Sequence, residues 1–131
     1  MKTFNEVMSV SDEIDSINAK EAHSKLNDDN VQFIDVRNKE SFSKGTIDGA
    51  LNLDRGLLEF YLAQGSPLEN DFIKNNPDKE YIVFCDLGGQ GTLATKTMKD
   101  MGVKNVKNLV GGLLEWNKLW WQSFEFFYPY H

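Results

Sequence analysis

The chain has 131 residues, 40% of them apolar and 26% charged, with three prolines and ten glycines. That is the composition of one globular domain and excludes a disordered or collagen-like chain, since domains commonly run to ~100–150 residues. Twenty Asp and Glu against fourteen Lys and Arg give a net charge of −6, which repels nucleic acid and anionic lipid, so neither is expected as a partner.

No apolar run approaches the ~20 residues of a membrane helix. Met1-Lys2-Thr3-Phe4-Asn5-Glu6 lacks the basic start and apolar stretch of a secretory signal, so a cytoplasmic protein is expected. The single cysteine, Cys85, excludes an intramolecular disulfide. With only His23 and His131 beside it, no metal site is expected.

Residues 1–13 read as an N-terminal extension. A first strand is predicted at Ile14-Asp15-Ser16-Ile17, then a short helix over 19–26 capped by Asn18, with Ala22 and Leu26 on one face. Val31-Gln32-Phe33-Ile34-Asp35-Val36 and Tyr81-Ile82-Val83-Phe84-Cys85 are β-branched, aromatic and largely apolar, as suits strands buried on both faces. Ala50-Leu51-Asn52-Leu53 and Val106-Lys107-Asn108-Leu109-Val110 complete five strands. Helices are predicted over 56–64 and 68–75, separated by Gly65-Ser66-Pro67. In 91–101, Leu93, Ala94, Met98 and Met101 form one helical stripe that Gly102 ends. Strands alternating with helices predict an α/β fold with a five-stranded, mainly parallel sheet flanked by helices on both faces.

Cys85 closes a strand and is followed by Asp86-Leu87-Gly88-Gly89-Gln90-Gly91, after which the chain enters a helix. Ligands of open parallel sheets sit beyond the carboxyl ends of strands. Three glycines in four positions let backbone amides turn inward, and the helix start adds unpaired N–H groups, so residues 86–91 are expected to cradle an anion. Lowering an ordinary thiol pKa of ~8.5 by about two units multiplies the thiolate at pH 7 roughly 25-fold. The accompanying loss of nucleophilicity leaves a net gain in attack rate of only about two- to threefold. Such a cradle is better explained by an anionic intermediate, such as a persulfide, than by faster attack. The plain alternative is a small apolar filler at a strand end, left by an ordinary glycine turn.

Asp35-Val36-Arg37, Glu40, Phe42, Gly45, Ile47, Gly49-Ala50 and Asn52, then Cys85 with Gly88, then Gly111-Gly112-Leu113-Leu114-Glu115-Trp116, together resemble three motifs of the rhodanese-like sulfurtransferase family, in order. Thr46 and Asp48 stand where the family usually has His and Pro. The resemblance implies one rhodanese-like domain, assigned to 14–118, in which catalytic Cys85 takes a sulfane sulfur as a persulfide and passes it to a thiol or cyanide. The donor is a small sulfur compound, thiosulfate or a persulfide, and no cofactor is implied. A non-catalytic, protein-binding module of the same family is the alternative.

The usual loop Arg is Gln90, so a bidentate cation for an oxyanion is missing, while Gln90 still donates neutral hydrogen bonds. Asp86 would repel thiosulfate if it points inward. Both favour a persulfide donor. Arg37 and Arg55 are the cations available nearby: Arg37 is expected to pair with a carboxylate, and Arg55, after another strand end, divides evenly between a pocket role and none. Asp35 is expected to brace the loops, and Glu40 to be a solvated helix carboxylate. A phosphatase of the Cys-x5-Arg type needs an Arg at the position of Gly91, which argues against it.

Eight of the sixteen aromatic residues lie in the last sixteen positions. Trp116 and Trp120, four apart, extend one helical face onto the domain. Residues 119–131 are assigned to a tail, extended from Phe124 onward, that folds back on the domain or docks on a second subunit as a homodimer. Net acidity ranks membrane attachment last.

Overall fold

A computed structural model describes the backbone of residues 1–125 and the side chains of residues 1–120. The five predicted strands form with their ends moved by no more than one residue: β1 (Asp15–Ile17), β2 (Val31–Asp35), β3 (Leu51–Asn52), β4 (Glu80–Phe84) and β5 (Val106–Leu109). They make one sheet in the order β1-β5-β4-β2-β3, and every pairing is parallel. The central strand, β4, is buried along its whole length, as its unbroken apolar run requires once both faces are covered.

Alternation along β4 divides the core in two. Tyr81 and Val83, with Cys85 beyond the strand end, meet Leu58, Ile73, Ala94 and Met98 on one face. Ile82 and Phe84 meet Ala19, Ala22, Leu113 and Trp116 on the other. The first face is covered by α4 (Leu58–Leu62), α5 (Asp71–Asn75) and α6 (Gly89–Asp100), the second by α2 (Ala19–His23) and α7 (Gly112–Glu125). Helices therefore lie on both faces.

Helix ends follow local caps more than the apolar stripe. Asn18 caps α2 as predicted, accepting from Glu21 N at 2.8 Å, but α2 stops at His23, short of Leu26. Asn70 accepts from Ile73 N at 3.0 Å and starts α5 at Asp71, three residues later than expected. The predicted 56–64 helix is a 3-10 turn, Arg55–Leu57, followed by α4. Glu40 lies in α3 (Lys39–Lys44), where it pairs with Lys44 at 3.2 Å and stays exposed.

The N-terminal stretch is more structured than an extension. Thr3 and Glu6 close a reciprocal capping box around α1 (Phe4–Met8). A 3-10 turn, Ser9–Glu13, is held to α6 by Lys99, which donates to the Glu13 carbonyl at 2.6 Å. At the other terminus α7 continues through the boundary drawn at 118, because no Gly or Pro follows Gly112 until Pro129. Phe124 and Glu125 are helical rather than extended. The rest of the tail, residues 126–131 with Phe126, Phe127, Tyr128 and Tyr130, lies outside the described residues. Among the described residues no helix is long and apolar enough to cross a membrane.

Candidate active site

Cys85 stands one residue beyond β4 and is 3% exposed. Its Sγ accepts two backbone hydrogen bonds, from Gly88 N at 3.1 Å and Gly91 N at 3.2 Å. Gly88 is the N-cap of α6, at φ +113°, and supplies no capping side chain. The sulfur therefore takes the place of the capping oxygen at the start of a twelve-residue helix. Unpaired donors and the helix dipole both favour negative charge at that point.

Of the six loop residues expected to form the cradle, Gly88 and Gly91 aim their amides at the sulfur. The Asp86 and Leu87 side chains are exposed, and Gln90 lies at the mouth. A Cβ at Gly91 would stand 2.5 Å from Asn108 Oδ1, so a side chain there requires Asn108 to shift.

The start of α7 forms the roof of this loop. Leu113 N donates to the Cys85 carbonyl at 2.8 Å and Leu114 N to the Asp86 carbonyl at 2.9 Å, so helix-end donors are satisfied by the cysteine loop itself. Gly112, at φ +58°, makes the approach possible, since a Cβ there would meet Cys85 O at 2.6 Å and Asp86 O at 2.7 Å. One turn later, Trp116 sets its edge against Phe33, with ring centroids 5.7 Å apart, and anchors the helix on the sheet. The Gly-Gly-x-x-x-Trp motif is thus a roof followed by its anchor.

Asp35 and Arg37 form the floor brace. Asp35 is fully buried. It accepts from Arg37 through both carboxylate oxygens, at 2.8 to 3.2 Å, from Arg37 N at 2.9 Å and from Thr46 Oγ1 at 2.8 Å. The guanidinium also donates to the Gly45 carbonyl at 2.6 Å and to Asp86 at 3.2 Å. These bonds, led by those to Asp35, raise the Arg37 pKa against the opposing effect of burial. Asp86 turns outward onto Arg37 with its side chain 68% exposed, so the inward-pointing carboxylate considered from the sequence is not what forms. Asn52, whose role the sequence left unread, donates to the carbonyls of Asp35 and Arg37 at 3.0 and 2.9 Å and ties β3 to the brace.

Arg55 donates to Glu59 at 3.1 Å and to Thr97 at 3.1 Å. With Arg37, Ser41, Asp86 and Gln90 it lines a groove of about 510 Å³ at the mouth of the loop. The structure brings Cys85, its loop, Asp35, Arg37 and Arg55 to the carboxyl end of the sheet.

A family model described as "Rhodanese-like domain" matches residues 18–119. The chain belongs to the rhodanese-like domain family. It is similar to human thiosulfate:glutathione sulfurtransferase, 29% identical over 105 residues that cover 77% of this chain and 91% of that protein. It also resembles rhodanese-like domain-containing protein 17 of Arabidopsis thaliana, 33% identical over 97 residues covering 70% of this chain and 62% of that one. Two longer relatives are matched over only 27% and 23% of their length. Among solved structures, a Rhodopseudomonas palustris protein described as a possible tyrosine phosphatase superposes with a TM-score of 0.84 at 25% identity, covering 91% of this chain and 92% of that one. The rhodanese-like family includes thiosulfate sulfurtransferases, and this chain carries a single cysteine, Cys85.

Proposed function

We propose that the protein is a sulfurtransferase in which Cys85 carries sulfane sulfur as a persulfide. The observation that carries this reading is the pair of amides on Sγ, from Gly88 and Gly91, at a helix start. In the first step the Cys85 thiolate attacks the outer sulfur of a donor persulfide. The Cys85 S–S bond forms, the donor's own S–S bond breaks, and the donor leaves as a thiolate. In the second, a thiol or cyanide attacks the outer sulfur of the Cys85 persulfide, taking it as a new persulfide or thiocyanate and restoring the Cys85 thiolate. No external oxidant or reductant is consumed.

Each intermediate places negative charge at or one bond beyond Sγ, where preorganised backbone donors stabilise it without reorganising. Thiosulfate is the poorer donor in this reading, because its sulfonate end needs a free cation and Gln90 stands in place of one. The phosphatase description of the Rhodopseudomonas protein does not transfer: the position that would need an Arg is Gly91, which has no side chain to grip a phosphoryl group.

The test is the intact mass of the protein after brief exposure to a small persulfide or to thiosulfate, followed by cyanide, compared with Cys85→Ser. Gain of one sulfur, absent in Cys85→Ser and removed by cyanide, is expected, faster with the persulfide. Folded protein that neither donor loads would overturn catalysis and favour a binding module.

A further inference from the structure

The two residues that aim their amides at sulfur are both glycines, the residue type least able to hold its own backbone in place. Each is gripped from its other side by a threonine hydroxyl four residues on. Thr92 Oγ1 donates to the Gly88 carbonyl at 2.8 Å, beside Thr92 N at 2.9 Å. Thr95 Oγ1 donates to the Gly91 carbonyl at 2.7 Å. Both threonines are buried, at 7% and 0% exposure, on the face of α6 that meets the sheet.

Behind Thr92 stands Asn108 of β5, whose Nδ2 donates to Thr92 Oγ1 at 3.2 Å. That bond turns the hydroxyl proton toward Gly88. Among the described residues the Asn108 Oδ1 is buried without a partner, an arrangement that is destabilising on its own. Valine would fill the threonine positions at similar volume, and an apolar residue would remove the orphaned oxygen. Back-bonding hydroxyls are also a generic way to satisfy a buried threonine in a helix, and they slightly weaken it. Here both fall on the two residues that serve the sulfur.

We propose that Thr92 and Thr95 are positioning residues that fix Gly88 and Gly91 so that both amides stay on the sulfur, with Asn108 orienting Thr92. The inference rests on the sulfurtransferase reading for its consequence in catalysis, and on geometry for the clamp itself.

Thr95→Val is the cleaner probe, because among the described residues its hydroxyl bonds only the Gly91 carbonyl. Thr92→Val also takes from the Asn108 amide the oxygen it donates to, so its urea midpoint is measured alongside. We expect Thr95→Val to load sulfur from a small persulfide about tenfold more slowly than wild type with its urea midpoint little changed, Thr92→Val to be slower still, and Thr95→Ser and Thr92→Ser to stay within threefold of wild type.

The second readout is the pH profile of Cys85 alkylation by iodoacetamide, clean in a chain with one cysteine. Hydrogen bonds to a charged form favour it, so the valine variants should need higher pH and the serine variants should not. The charged groups at the loop, Asp86 and Arg37, are the same in all of them. If wild type loads and Thr95→Val matches it in rate and profile, the clamp is refuted. If wild type does not load, the sulfurtransferase reading fails, and the alkylation profile alone judges the clamp: displaced in Thr95→Val it stands, coincident it falls.

Discussion

Replacing Gly112 with Ala should cost far more than the same change at another positive-φ glycine. Two effects add at Gly112. Its φ of +58° is a left-handed conformation that costs an L-residue about 1–2 kcal/mol. Its new Cβ would also stand 2.6 Å from Cys85 O and 2.7 Å from Asp86 O, and overpacking of this kind costs typically about 1–3 kcal/mol. Gly65, at φ +85°, has nothing within 4 Å of its would-be Cβ and carries the first cost alone. The lower entropy of an alanine-bearing unfolded chain offsets both changes equally, by about 0.4–1 kcal/mol.

The expected difference between the two variants is therefore about 2 kcal/mol, or roughly 1 M in urea midpoint at a slope of about 2 kcal/mol per M. Urea titration followed by tryptophan fluorescence measures it. Gly112→Ala should also lose sulfur loading, because the backbone atoms it displaces belong to Cys85 and Asp86, whereas Gly65→Ala should load normally. Equal midpoint losses, or unchanged loading in a destabilised Gly112→Ala, would refute the roof.

Asp35→Asn should destabilise by about 3–5 kcal/mol, because it leaves Arg37 buried with one exposed carboxylate for company, and the loss appears as a lower urea midpoint. Gln90→Arg adds to the groove a cation not already engaged by a carboxylate, as Arg37 and Arg55 are. A charge-assisted bond of about 1.5–3 kcal/mol should raise thiosulfate loading by tenfold or more and change persulfide loading little, as read by intact mass. Glu80, at the opposite end of β4 from Cys85, is held below its usual value of 4.5: burial alone would raise it, but bonds and charge from Lys107 and Lys25 outweigh that. A lowered folded-state pKa contributes stability fully present above about pH 4.5 and lost as pH falls through the folded value. Midpoints measured from pH 7 down to pH 3 should accordingly fall more steeply for wild type than for Glu80→Gln.

The strands and the cysteine loop were legible because their signals are local. Tyr81 to Phe84 is an apolar run that only a doubly covered strand accommodates, and the glycines after Cys85 announce a turn wherever they stand. Helix ends were less legible, since one asparagine at position 70 outweighs three residues of apparent periodicity. The roof and the back wall were not legible at all. They depend on Leu113 meeting Cys85 and on Asn108 meeting Thr92, contacts the sheet order creates by laying β5 beside β4. Asp86 is the instructive case: its sequence position beside Cys85 suggested repulsion within the site, and its partner, Arg37, is 49 residues away in the chain.

That pairing bears on the choice of donor. Both arginines of the groove are engaged before any donor arrives, Arg37 by Asp35, Asp86 and Gly45, and Arg55 by Glu59 and Thr97. A dianion such as thiosulfate must displace Asp86 or Glu59 to find a cation, and gains nothing from the neutral Gln90 beyond a hydrogen bond. A persulfide carries its charge at the sulfur, where the two amides already point. Asp86→Asn releases one arm of Arg37, so thiosulfate loading should rise about three- to fivefold at low ionic strength, the gain from one exposed charge, and shrink as salt is added. A rise that salt does not touch would mean that Asp86 acts by shape rather than by charge.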